Sequence, residues 1–187
     1  MSGQIPDLKK KLFLNDDIHT YHFVSQAEIT IPNVNDCEEM QLTNEAFDIM
    51  EFSETEKFDL FRLTAAIMHM GEMKFKQRPR EEQAEAEDVS EAENAAKLFE
   101  VSGDDFVKAL LKPRVKVGTE WVNKGQNLEQ VNWALGALSK AIYARMFHWL
   151  IKRCNKTLEG VEMAGAELTG AGTTMEGGSE FDVEVGK

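Results

Sequence analysis

Arg114-Val115-Lys116-Val117-Gly118-Thr119-Glu120-Trp121-Val122-Asn123-Lys124-Gly125-Gln126-Asn127-Leu128-Glu129-Gln130-Val131 changes period halfway along. Its first four residues alternate basic and apolar, the two-residue period of a half-buried strand. Gly118-Thr119 reads as a two-residue turn with glycine in its first position, where a positive φ meets no Cβ clash. Residues 120–122 read as the return strand. At Asn127 the period lengthens. Asn127 and Gln130 form a capping box, and Leu128, Val131, Leu135, Leu138, Ile142 and Trp149 make an apolar seam that runs to about Asn155. Lys152 and Arg153 stand in the expected last turn, where cations suit the helix dipole. A short hairpin feeding a long helix is the spine of the chain.

Upstream, Ser53-Glu54-Thr55-Glu56 is a second capping box. The helix it opens carries Phe58, Phe61, Ala65 and Met68 on one stripe and Leu60, Leu63, Thr64 and Ile67 on another, so it is expected to pack on two sides. Gly71 is its natural stop. Thr43 is expected to cap a shorter helix ending at Met50. Residues 6–14 read as a short helix with Pro6 in the first turn, residues 21–24 as an extended piece, and residues 25–36 as turns. Residues 77–94 read as a charged, solvated loop leading into a helix near residues 92–99. A further helix over 104–111 is ended by Pro113. Downstream, residues 159–187 hold seven glycines and seven acids against one lysine, with no core-forming pattern. They are expected to be a mostly disordered tail.

With 187 residues, 42% of them hydrophobic and 29% charged, the chain is large enough for one modest domain. Its formal net charge of −12 excludes a general nucleic-acid binder, which would repel phosphates. Cys37 and Cys154 make neither metal-ligand spacing nor a disulfide framework, and read as reduced thiols of a cytosolic protein. His19, His22, His69 and His148 are scattered and match no metal motif. His69 and His148 are expected to be buried and hydrogen-bonded, Met68, Met70 and Met73 to fill core, and Trp133 and Trp149 to pack against segments beyond this chain. No run is apolar enough to span a membrane. Asn155-Lys156-Thr157 matches a glycosylation acceptor, but the polar, charged start of the chain is unlike a signal peptide.

Residues 21–157 resemble the muscle-type, class II, myosin motor. Met73-Lys74-Phe75-Lys76-Gln77 followed by Arg80-Glu81-Glu82-Gln83-Ala84-Glu85 is similar to that family's acidic surface loop. Pro113-Arg114-Val115-Lys116-Val117-Gly118 with Lys124-Gly125-Gln126 resembles its cardiomyopathy loop, and Glu129-Gln130-Val131 through Trp149-Leu150 the long helix after that loop. The resemblance implies a mainly α class, an α+β fragment of the P-loop myosin motor fold in which long packed helices carry a short β-hairpin. Residues 1–158 would be part of the upper wall of the actin-binding cleft.

The same resemblance sets the functional expectation. The phosphate loop G-x-x-x-x-G-K-[ST], which cradles Mg-ATP in the family, does not occur in the sequence. The family's first switch is expected upstream of Met1. Glu162-Met163-Ala164-Gly165-Ala166-Glu167 shares three letters of six with its second switch, D-I-A-G-F-E, and reads as a coincidence, with a degenerate switch as the lesser alternative. The chain is therefore expected to be a motor fragment without ATPase activity or a bound cofactor of its own. A non-motor actin-binding or interfering module, or an incomplete gene model, are the alternatives.

The expected actin contacts are Lys112, Arg114, Lys116, Glu120, Trp121 and Lys124. With Lys108, four of these make five cations around the single acid Glu120, a local reversal of sign in an acidic chain. Val115, Val117 and Trp121 are expected to give apolar contact or to anchor the loop's inner face. The expected partners are the actin filament and the remaining heavy-chain segments, with no nucleic acid and no membrane. Resemblance places the protein in the cytoplasm, in the myosin filament or sarcomere.

Overall fold

The chain runs α1 (Pro6–Lys11), a 3-10 turn (Ile18–Thr20), α2 (Asp36–Ile49), α3 (Glu54–Glu72), β1 (Lys74–Gln77), β2 (Ala84–Asp88), α4 (Ser90–Phe99), α5 (Gly103–Leu111), β3 (Arg114–Val117), β4 (Glu120–Asn123) and α6 (Leu128–Thr169). This is a computed structural model, describing residues 6–169 and the surroundings of side chains 7–160. The class is the expected one, mainly α. It carries two short antiparallel hairpins rather than one, β1–β2 and β3–β4.

α3 is the centre. Ser53 Oγ accepts the Glu56 N–H and Glu56 returns a carboxylate to the Ser53 N–H at 2.8 Å, so the capping box forms in full. One side of α3 packs on α4 and another on α6, as its two stripes require. Met70, Met73, Phe75, Ala84, Val131 and Leu135 form one buried cluster, which joins the end of α3 to the β1–β2 hairpin and to α6. Leu8, Leu12, Ala65, Ala66 and Leu98 form a second, which seats α1 on α3 and α4. His69 ties that seat together. Its Nδ1 lies 2.6 Å from the Glu91 carboxylate and its Nε2 2.8 Å from the Leu12 carbonyl.

Several expectations are corrected. α2 starts at Asp36, not near Thr43. The Asn35 side chain accepts the Cys37 N–H at 3.0 Å, while Thr43 lies mid-helix with its hydroxyl donating to the Glu39 carbonyl. Residues 21–24 form turns rather than an extended piece. The expected charged loop over 77–94 contains strand β2, whose Ala84, Glu85 and Ala86 pair with Gln77, Lys76 and Phe75. His148 is exposed, unlike the buried His69. α6 does not stop near Asn155 but continues to Thr169. Residues 162–167 are thus helical, and residues 170–187 of the expected tail lie outside the described residues.

Candidate functional site

The β3–β4 hairpin pairs Arg114 with Asn123, Val115 with Val122, Lys116 with Trp121 and Val117 with Glu120. Because side chains alternate across a strand, this register puts Arg114, Lys116, Trp121 and Asn123 on one face. Val115, Val117, Glu120 and Val122 take the other. Gly118 has φ +63° with open space around it, while Thr119 keeps a negative φ. That sign pattern suits a type II′ turn.

Trp121 therefore does not share a face with the valines, as the sequence reading expected. It stands 58% exposed beside the cations, with the Arg114 guanidinium 5.6 Å from its ring centre. At that distance the ring's negative face attracts the cation, typically by about 0.5–1 kcal/mol at an exposed site. The pair gives the hairpin a flat apolar plate with a fixed positive charge over it.

Lys112 caps the end of α5 and Lys124 follows β4, so both flank the hairpin base; both are exposed, as is Lys108 on α5. Among the described residues, no carboxylate lies in ion-pairing range of Lys108, Lys112, Arg114, Lys116 or Lys124. Glu120, next to the turn, makes no ion pair among the described residues either. Of the sequence-expected contacts, Arg114, Lys116 and Trp121 thus share one face of the hairpin, Glu120 takes the other, and Lys112 and Lys124 flank the base.

The base is rigid. Lys124 N–H donates to Pro113 O at 3.0 Å and Gln126 N–H to Leu111 O at 3.0 Å, extending the ladder below the strands. Gln83, from the other hairpin, donates its side-chain amide toward Ala84 O, Leu111 O and Gln126 O at 3.0–3.3 Å. Its Oε1 lies where a Cβ on Gly125 would stand, 2.0 Å away, so only glycine admits Gln83 there. Gln77 Oε1 accepts the Leu128 N–H at 3.0 Å, capping the first turn of α6 beside the Asn127–Gln130 box. The sequence reading missed Gln77 and Gln83. Side-chain-to-backbone bonds across dozens of residues leave no local pattern.

α6 is fixed further along. Arg153 Nε donates to Glu56 Oε1 at 2.7 Å, its Nη2 to Glu51 O at 2.6 Å and its Nη1 to Thr157 Oγ1 at 2.6 Å. Its guanidinium lies 4.6 Å from the Phe52 ring centre. The Arg153 bond, helped by the Ser53 N–H, holds the Glu56 carboxyl at a pKa of about 2.

Among the described residues, no group of His, Cys, Asp or Glu is placed to hold a metal ion, and no helix is long and apolar enough to cross a membrane. Residues 1–172 match the family model of the myosin head, the motor domain. Myosin-3 of Caenorhabditis elegans is 62% identical over 170 residues, 91% of this chain and 9% of that protein. Myosin-3 of Caenorhabditis briggsae is equally similar, and myosin-1 of C. elegans is 59% identical over 154 residues, 82% of this chain and 8% of that protein. The chain thus spans under a tenth of the length of these curated relatives.

Proposed function

From the premise that the chain belongs to the myosin head (motor domain) family, we propose that its basic hairpin contacts actin as part of a heavy-chain motor. The observation that carries this reading is the set of five cations, without an ion partner among the described residues, on and beside a rigidly based, projecting hairpin in a chain of net charge −12. Lys112, Arg114, Lys116 and Lys124 orient the encounter with an acidic filament surface, Arg114 with two parallel donors for one carboxylate. Trp121 supplies an apolar plate that excludes water, and Glu120 rejects misaligned acidic groups.

The 187 residues contain no phosphate-loop motif, so ATP turnover belongs to segments other than these. The motor's ATP-driven work, its place in a muscle filament and its cytoplasmic setting are part of the same proposal.

Exposed ion pairs contribute about 0–1 kcal/mol each, so one hairpin binds weakly and with strong salt dependence. Co-sedimentation of the chain with filamentous actin tests this. Pelleting at low salt that is lost at high salt, and lost at low salt in R114E/K116E, is expected. Pelleting that survives the double reversal would reject the hairpin as the contact, and actin-stimulated phosphate release by the chain alone would reject the assignment of ATP turnover elsewhere.

A further inference from the structure

We propose that the His69–Glu91 contact is a proton-operated latch for α1, closed by two shared protons and loosened when one is lost. It rests on a buried contact, apart from the hairpin. His69 is 1% exposed, between α4 and the end of α1. Its Nε2 lies 2.8 Å from Leu12 O and its Nδ1 2.6 Å from the Glu91 carboxylate. Leu12 falls at the open end of α1, which Phe13 terminates at φ +56°. A carbonyl in that position needs a donor from outside its helix.

The partners fix the proton count. A carbonyl oxygen only accepts, so Nε2 carries a hydrogen. An ionised carboxylate also only accepts, so Nδ1 carries one too; a protonated Glu91 would donate to a bare Nδ1 instead. Either way the contact closes with two protons. With one, a ring lone pair faces an oxygen lone pair at Leu12 or at Glu91, and one of the two ties is lost. Those ties stand beside a small apolar seat, in which Leu8 and Leu12 of α1 meet Ala65, Ala66 and Leu98. Six helical residues are too few to hold their form alone, so what weakens the seat frees α1.

The charged groups nearby do not replace the latch. Tyr21 stands edge-on to the His69 ring, 6.3 Å between centroids. Burial pushes its phenol up, so it keeps its proton where a histidine titrates. Glu91 also borders a polar recess with Glu72, Lys74 and Asp88. Asp88 is held below the usual carboxylate range by the Ser90 N–H and hydroxyl, and stays ionised. Glu72 accepts the N–H of the exposed His22. Lys9 of α1 is engaged by Asp16, and Lys97 of α4 lies over the Phe13 ring. The sign follows from the proton count. A freed His69 gives its second proton to water above about pH 6.5, the ordinary histidine value. The seat is therefore fully held below that pH and weakens as pH rises above it. While only the seated form keeps the proton, opening grows about tenfold per pH unit.

The test is hydrogen exchange at the Leu12 to Asn15 amides of the 187-residue chain, corrected for the intrinsic rate. From about pH 7 to about pH 8 the opening constant is expected to rise about tenfold. Glu91→Gln is the decisive variant. A glutamine amide donates to a bare Nδ1 while Nε2–H keeps Leu12 O, so both ties close with one proton. Its amides are expected to stay protected and to change by less than about twofold over the same range. His22→Gln is expected to keep the parent's rise. A flat parent profile would overturn the proposal. So would a Glu91→Gln chain with the parent's slope, or a slope lost in His22→Gln. Where Glu91→Gln frees α1 at every pH, NMR of the parent's His69 ring nitrogens and Glu91 carboxyl carbon decides. Two protons on the pair at about pH 7.5 sustain the latch, and one overturns it.

Discussion

The two hairpins, one over residues 74–88 and the other over residues 114–123, differ in what they face. β1–β2 is turned inward. Phe75 and Ala84 are buried in the main cluster, and part of its charge is paired within the hairpin: Lys76 with Glu85, and Arg78 with both Glu85 and Glu81. β3–β4 is turned outward, with every residue but Val115 exposed and its cations unmatched. What separates them is satisfaction: a charge already paired within the chain has less to offer a partner than one held out on a rigid base.

The largest break in that contrast is a deletion from the inward hairpin. Phe75→Ala is expected to cost about 3–5 kcal/mol of unfolding free energy by urea denaturation, through lost burial and a cavity. The matched outward change, Trp121→Ala, is expected to cost well under about 1 kcal/mol, since it empties no core.

The Arg153–Glu56 clamp, a paired charge of the inward kind, comes next. Glu56→Gln is expected to cost about 1–3 kcal/mol, because Arg153 and the Ser53 N–H lose a charged acceptor. Its pH signature follows from the depressed carboxyl. Ordinary Glu titrates near 4.5 and this one near 2, so the contribution is full above about pH 4.5 and is lost as pH falls toward 2. Unfolding free energies of the parent and Glu56→Gln chains, measured by urea at a series of pH values, should converge as pH falls across that window.

Smaller still is the staple between the hairpins. Gln83→Ala is expected to cost about 1 kcal/mol and to speed hydrogen exchange at Gln126 N–H. Gly125→Ala should do the same by driving Gln83 out. Smallest is the change that sharpens the contrast most: Arg114→Glu with Lys116→Glu is expected to move thermal stability by no more than about 0.5 kcal/mol. A larger loss would show that the outward cations serve the fold.

Much of this was legible in the residues. The caps at Ser53 and Asn127, the β3–β4 turn at Gly118 and the stripes of α3 are local devices whose chemistry lies within a few positions. What failed to show was set by distant partners. β2 reads Ala-Glu-Ala-Glu-Asp, helix-forming residues held extended by pairing with β1 and by the Ala84 N–H on Gln126 O at 2.8 Å. α2 buries no residue fully, so no strong stripe marked its start, and its cap Asn35 looked like one more breaker. His69 and His148 sit in equally apolar sequence, yet only His69 faces a neighbouring helix. At the site, the cations could be read, but not the face that Trp121 takes or the glutamines that hold the base.

α6 also makes the molecule a mechanical part. Forty-two helical residues at about 1.5 Å each form a strut about 63 Å long. Load arriving at the hairpin tip passes through two four-residue strands, which can unzip one rung at a time. It then splits at Pro113 and Lys124, into α5 on one side and the strut on the other. Compliance is concentrated in the first few ångströms and stiffness in everything behind them. Under tension the tip would yield first, leaving the strut and its Arg153 anchorage in register.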